Sequence, residues 1–142
     1  MRGSERFTQR ASTAITKAHD AALGMGHSYV GTEHLLLGII REGEGLGARI
    51  LTDNALTDAV LTRMVTETVG RGVPGAPEQG LSPRARHVIE LAAEDANRLG
   101  HCYVGTEHIL MGILREADSA GARIIVAAGG DLNLSLIHIS EP

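Results

Sequence analysis

Residues 8 to 51 are written a second time as residues 82 to 125, at a constant offset of 74 and without a gap, and 22 of the 44 aligned positions are identical. The longest shared string runs from His27 to His34 and returns from His101 to His108, changed only where Ser28 becomes Cys102. A chain built this way folds as two copies of one structural unit, so any site made by the repeated string is expected twice.

Each copy reads as a series of helices. Thr8 is placed to cap a first helix whose apolar positions fall at Ala11, Ile15, Ala18, Ala22 and Met25, ended by Gly24 and Gly26. In the copy, Ser82 is followed by Pro83, a capping hydroxyl before a proline at the first helical position, and Ile89, Ala92, Ala93 and Ala96 carry the stripe to Gly100. Thr32 is expected to cap a second helix through Leu35, Leu36, Leu37, Ile39 and Ile40, and Thr106 its copy. These second helices are apolar on nearly every side, which places each at the centre of its repeat. Gly38 and Gly112 sit mid-helix at equivalent positions, where glycine is costly by propensity, and imply close approach of a neighbouring backbone.

Glycines 43, 45 and 47 precede a third helix, Leu46 to Leu51. Ala117, Asp118, Ser119 and Ala120 replace most of that turn in the copy. A fourth helix is expected from Thr57 to Val69, and its counterpart, due near Asp131, does not appear. Between the copies, Gly72, Pro74, Gly75, Pro77 and Gly80 mark a linker. The expected organisation is therefore all-α: a pseudo-twofold tandem repeat of two four-helix units, the last helix of the second truncated. Repeat one spans 5–70, the linker 71–80 and repeat two 81–133. The alternating segment 134–142 resembles translated adapter sequence and is expected to be a non-native tail, and Met1 to Ser4 resembles the start of an expression tag.

Composition narrows the function classes. Phe7, Tyr29 and Tyr103 are the only aromatic residues, so the core is aliphatic, which suits close-packed helices. Thirteen basic residues against seventeen acidic ones give a net charge of -4, and the arginines are scattered, which leaves no basic face for nucleic acid. Cys102 stands alone, so it forms no internal disulfide and no thiolate metal cage. Nowhere do eighteen apolar residues run together, so no membrane partner is expected and the reading is cytoplasmic.

No phosphate-binding Gly-x-x-x-x-Gly-Lys motif occurs, so the chain alone is not an ATPase. Glu33-His34 and Glu107-His108 lack the second histidine and acidic partners of a metal site, and the histidines read as structural. Cys102 has no repeated base beside it and aligns with Ser28, which disfavours a nucleophile. A free-standing enzyme would need a catalytic constellation that the sequence does not offer. The starts of the second helices are more informative. Glu33 and Glu107 occupy first turns, where the helix dipole favours a carboxylate by about 0.3 to 1 kcal/mol. That alone accounts for the residue type. A carboxylate held on a rigid helix end also accepts a guanidinium, while nearby hydroxyls and free N–H groups accept phosphate. The residues by themselves leave both uses open.

Two copies of Gly-His-x-Tyr-Val-Gly-Thr-Glu-His-(Leu/Ile)-Leu-x-Gly-Ile-(Ile/Leu)-Arg-Glu, each followed by Gly-Ala-Arg-Ile, resemble the N-terminal double-repeat domain of ClpC-type Clp/Hsp100 AAA+ unfoldases. The resemblance covers about residues 5 to 133. It implies a substrate- and adaptor-recruiting domain of a bacterial unfoldase whose hexameric ATPase rings feed a partner Clp protease. ATP would belong to AAA+ modules absent from this chain, which carries no cofactor of its own. The family resemblance further implies two phosphoarginine pockets, in which the glutamate takes the guanidinium and the hydroxyl at the start of the first helix takes the phosphate. Carried over, Glu33 pairs with Thr8 and Glu107 with Ser82, with Thr32 and Thr106 beside the pockets as supporting caps. Related Clp domains share the fold without that specificity, so an interaction-only module binding adaptors or exposed apolar segments remains the alternative.

Overall fold

The computed structural model describes residues 6–73, 75 and 79–128. The tail 134–142, the tag-like start and the position due for a fourth helix in the second repeat lie outside the described residues. Seven helices occur among the described residues: α1 (Gln9–Gly24), α2 (Thr32–Glu42), α3 (Leu46–Asp53), α4 (Asp58–Val69), α5 (Pro83–Arg98), α6 (Thr106–Arg115) and α7 (Ala120–Ala128). The all-helical class and the two-repeat order follow the sequence reading.

Local chemistry sets the helix starts. The Thr8 hydroxyl accepts from the Ala11 amide at 3.0 Å, Thr57 from Val60 at 3.3 Å and Ser82 from Ala85 at 3.1 Å, each satisfying one donor that a helix start leaves open. Gly26 and Gly100, just beyond α1 and α5, take φ values of +73° and +78°, which an L side chain rarely adopts. The core is aliphatic: α2 buries every residue from His34 to Ile40, and α6 every residue from Thr106 to Ile113.

Within each repeat the first helix packs along the second. Gly38 is the point of closest approach in repeat one, where a Cβ would collide with the Ala14 carbonyl oxygen and lie 2.9 Å from the Ala18 nitrogen. Gly112 plays the same part against the Val88 carbonyl at 2.7 Å. The expected backbone approach is thus present in both copies, and the small α1 face (Ala11, Ala14, Ala18) is what permits it.

The repeats do not sit side by side as separate bundles. The third helices cross over: α7 packs on α2, and α3 on α6. Two short parallel bridges, Phe7 with Val104 and Val30 with Leu81, tie the strand-like residues before each first helix to the loop before the other repeat's second helix. Their hydrogen bonds match pairwise, with Thr8 N–H donating to Val104 O at 3.0 Å and Ser82 N–H to Val30 O at 2.9 Å.

One expectation is corrected here. Thr32 and Thr106 do not cap their own helices, whose N-caps are Gly31 and Gly105. The Thr32 hydroxyl instead accepts from the Gly121 amide in the first turn of α7, and the Thr106 hydroxyl from the Gly47 amide in the first turn of α3, both at 2.9 Å. Each threonine caps a helix of the opposite repeat. Glycine suits 47 and 121, where a Cβ would lie 2.9 Å from the Ile39 or Ile113 methyl and 3.0 Å from the backbone of the capping threonine.

The copies diverge at their equivalent arginines. Arg41 donates to Asp58 at 3.1 Å and to the Thr62 hydroxyl at 2.9 Å on α4, whereas Arg115 donates to the buried Asp95 on α5 at 2.6 Å.

Four substitutions check this packing. Gly38→Ala gains helix propensity worth about 1 kcal/mol but forces a methyl into backbone, and overpacking costs about 1 to 3 kcal/mol, so a net loss of stability is expected in urea unfolding. Gly24→Ala, with nothing within 4 Å of the added methyl, is expected to gain about 0.5 to 1 kcal/mol. Thr32→Val and Thr106→Val keep the side-chain shape while stranding a buried N–H. Each should cost about 1 to 2 kcal/mol, and an unchanged unfolding midpoint would remove the crossed caps from the account of stability.

Candidate functional site

The crossed packing builds two equivalent clefts at the junction of the repeats. The first, about 540 Å³, is lined by Tyr29, Gly31, Thr32 and Glu33 from repeat one, and by Ser82, Pro83, Arg84, Asp118, Ser119 and Ala120 from repeat two. The second, about 260 Å³, is lined by Tyr103, Gly105, Thr106 and Glu107 from repeat two, and by Thr8, Arg10, Gly45 and Leu46 from repeat one. Aligned at the offset of 74, the two linings correspond almost residue for residue.

The expected pairing is therefore reversed. Glu33 shares a cleft with Ser82 and Glu107 with Thr8, because each first-helix start is bridged to the other repeat's loop. All four residues line clefts, but each cleft takes its carboxylate from one repeat and its hydroxyl from the other.

Arg84 and Arg10 also line the clefts, and the sequence reading did not assign them a role. The signal was available, since both occupy the same position of the duplicated first helix.

Three helix starts converge on each cleft: α2, α5 and α7 on the first, and α6, α1 and α3 on the second. Each start carries the equivalent of about half a positive charge, so a cleft facing three of them is electropositive before any side chain is counted. The carboxylates lie back over their own helix starts, and a Cβ on Gly31 or Gly105 would collide with Glu33 Oε1 or Glu107 Oε1. Glu107 is 5% exposed. The Thr8 and Ser82 oxygens accept the capping amides, which leaves each hydroxyl proton free to donate into the cleft.

A pair of histidines holds each of these helix starts. The Gly31 amide donates to His34 Nδ1 at 2.8 Å, so the His34 proton is on Nε2, which donates to His27 Nδ1 at 2.7 Å; His27 Nε2 in turn donates to the Gly70 carbonyl at 2.8 Å. Gly105, His108 and His101 repeat the first two links at 2.9 and 2.7 Å. The side chain at the third helical position reaching back to the N-cap amide is the role that glutamate or glutamine takes in a capping box. Burial, with His27 and Arg41 nearby, pushes the His34 imidazole down from 6.5 to about 4, and burial lowers His108 as well. The His34 and Glu33 side chains approach to 4.0 Å, but with the ring neutral and Nδ1 accepting from Gly31, this contact is not an ion pair at neutral pH. Tyr103, across the second cleft, has its hydroxyl pKa raised by partial burial and then by the Glu107 carboxylate.

Among the described residues no three His, Cys, Asp or Glu side chains converge to hold a metal ion. No helix among them is long and apolar enough to cross a membrane. Cys102 is exposed.

Residues 6–128 match the family model described as the Clp repeat (R) N-terminal domain. Among curated relatives, the negative regulator of genetic competence ClpC/MecB of Bacillus subtilis (strain 168) is 44% identical over 128 residues, covering 90% of this chain. The chloroplastic chaperone protein ClpC1 of Oryza sativa subsp. japonica is 42% identical over 130 residues, covering 91%. The chain spans only 16% and 14% of those two proteins. The crystal structure of the N-terminal domain of the chaperone ClpD from Arabidopsis thaliana superposes with a TM-score of 0.76 at 27% identity, covering 94% of each chain. The N-domain of ClpV in complex with a VipB peptide shares the fold, with a TM-score of 0.76 at 16% identity, covering 96% of this chain and 86% of that one.

The histidine pairs make stability depend on pH. In the native state His34 and His108 stay neutral below 6.5, whereas in the unfolded chain they take up protons there, so stability is full above pH 6.5 and falls on acidification towards pH 4. For His34 the loss reaches up to about 3 kcal/mol. Urea unfolding at pH 7, 6 and 5 is expected to show this slope, and His34→Gln with His108→Gln, whose amides keep the reach-back bond without titrating, is expected to flatten it.

Proposed function

The chain belongs to the Clp repeat N-terminal domain family, and on that premise we propose that it recruits protein substrates and adaptor proteins to a ClpC-like ATP-dependent unfoldase by holding phosphorylated arginine side chains in its two clefts. The observation that carries this reading is the composition of each cleft: a helix-start glutamate, one arginine and one capping hydroxyl line it together, among three helix starts. A phosphorylated guanidinium needs both kinds of partner within a single residue's reach. Its remaining N–H groups suit Glu33 or Glu107, and charge-assisted bonds of this type are about twice as strong as neutral ones. Its phosphoryl oxygens suit the Ser82 or Thr8 hydroxyl, the first-turn amides and the Arg84 or Arg10 side chain.

The domain itself binds and delivers; hydrolysis of ATP and proteolysis would fall to the parent unfoldase and its Clp protease. The ClpV N-domain bound to a VipB peptide supports peptide capture as a use of this fold. Because the clefts lie between the repeats, ligand held in either one touches both and should stabilise their packing.

Titration of the chain with a phosphoarginine peptide is expected to reveal two sites. Glu33→Gln and Glu107→Gln should each weaken one by about 10- to 100-fold. Unchanged binding in the double variant would overturn the assignment of the clefts. Loss of phosphoarginine with adaptor binding intact would locate adaptor capture elsewhere on the surface, as an interaction-only module requires.

A further inference from the structure

We propose that the turn ahead of each third helix sets what the opposite repeat's cleft accepts: the Glu107 cleft is narrow and selective for the phosphorylated side chain, while Asp118 makes the Glu33 cleft one that also takes an unphosphorylated guanidinium. This rests on the phosphoarginine reading and divides it between the two sites.

Elsewhere the linings match closely, with Tyr29, Glu33 and Arg84 in one cleft answered by Tyr103, Glu107 and Arg10 in the other. The difference is concentrated where Glu44-Gly45-Leu46 in repeat one aligns with Asp118-Ser119-Ala120 in repeat two. Leu46 lines the Glu107 cleft where Ala120 lines the other, and the volumes are about 260 and 540 Å³. Asp118 lines the Glu33 cleft, whereas its counterpart Glu44 lines an adjoining cleft that shares Arg10, Gly45 and Leu46 with the Glu107 cleft, where the Arg10 guanidinium donates to the Glu44 carbonyl at 3.0 Å.

The side-chain charges follow from this. The Glu33 cleft holds two carboxylates against one guanidinium, and the Glu107 cleft one of each. A phosphorylated arginine is net anionic at neutral pH and an unmodified arginine is cationic, so the second carboxylate repels the first ligand and attracts the other. Asp118 is exposed, which screens its effect to about fivefold in affinity.

The test uses two peptides identical except that one carries phosphoarginine and the other arginine. Glu33→Gln leaves the Glu107 cleft to report, and Glu107→Gln leaves the Glu33 cleft. The preference for the phosphorylated peptide is expected to be about fivefold greater in Glu33→Gln than in Glu107→Gln. Adding Asp118→Asn to Glu107→Gln should raise that preference by about fivefold. Adding Leu46→Ala to Glu33→Gln should strengthen both peptides and leave their ratio unchanged, because it alters space and not charge. Equal preferences in the two backgrounds, or no response to Asp118→Asn, would overturn the division while leaving phosphoarginine binding in place. Failure of the unsubstituted protein to bind the phosphorylated peptide would overturn the phosphoarginine reading and this inference with it.

Discussion

Two threonine hydroxyls, each accepting a buried amide from the opposite repeat, hold this architecture in register. Thr32 meets Gly121 and Thr106 meets Gly47, at the same 2.9 Å distance. A helix start leaves its first amides without partners, and a start buried against another element needs an acceptor brought to it. Here the acceptor comes from the other repeat, so neither third helix is fully satisfied without the other half of the chain. The glycines at the donor positions complete the arrangement, because a Cβ there would crowd the threonine backbone at 3.0 Å.

The clefts are a consequence of that crossing. Bringing α7 onto α2 and α3 onto α6 sets three helix starts around each opening, together with the bridges at Val30 and Val104. Several amides then face a shared, partly enclosed space, and their dipoles add. Glu33 and Glu107 sit in that field close to their own helix starts, which explains how the carboxylate of Glu107 is tolerated at 5% exposure. His34 and His108 behind them keep Gly31 and Gly105 in place without adding charge, because burial holds both rings neutral and their Nδ1 atoms accept from the glycine amides. Positioning of the site and stability of the fold thus draw on the same residues.

The two copies have kept what the shared geometry demands and changed what it does not. Gly38 and Gly112 lie against backbone, and Gly47 and Gly121 against a threonine of the other repeat. The turn before the third helix is built differently in the two copies, although a Cβ at Gly45 would collide with the Thr106 hydroxyl. Ser119 uses its hydroxyl, accepting from Ala122 at 3.3 Å, while Gly45 offers backbone alone and Glu42 supplies an acceptor to its amide at 2.8 Å. The surroundings of two otherwise equivalent clefts differ in size and charge at this turn.

Helix order, the caps at Thr8 and Ser82, the aliphatic core and the close approaches at Gly38 and Gly112 were legible in the sequence, because each depends on contacts within a few residues or on a spacing that the duplication repeats. Of the residues lining the clefts, Glu33, Thr8, Glu107, Ser82, Thr32 and Thr106 were named from the sequence, while Arg10 and Arg84 were not, although the repeat carried them. The pairing of carboxylate and hydroxyl was not legible. The sequence by itself determined which residue types stand at each helix start; only the tertiary structure decided that Glu33 faces Ser82, that Glu107 faces Thr8, and that Thr32 and Thr106 cap helices 89 and 59 residues away. The physical reason is that a duplicated chain offers each buried amide two chemically identical acceptors, one in each repeat. The packing of the third helices, not local sequence, selects between them.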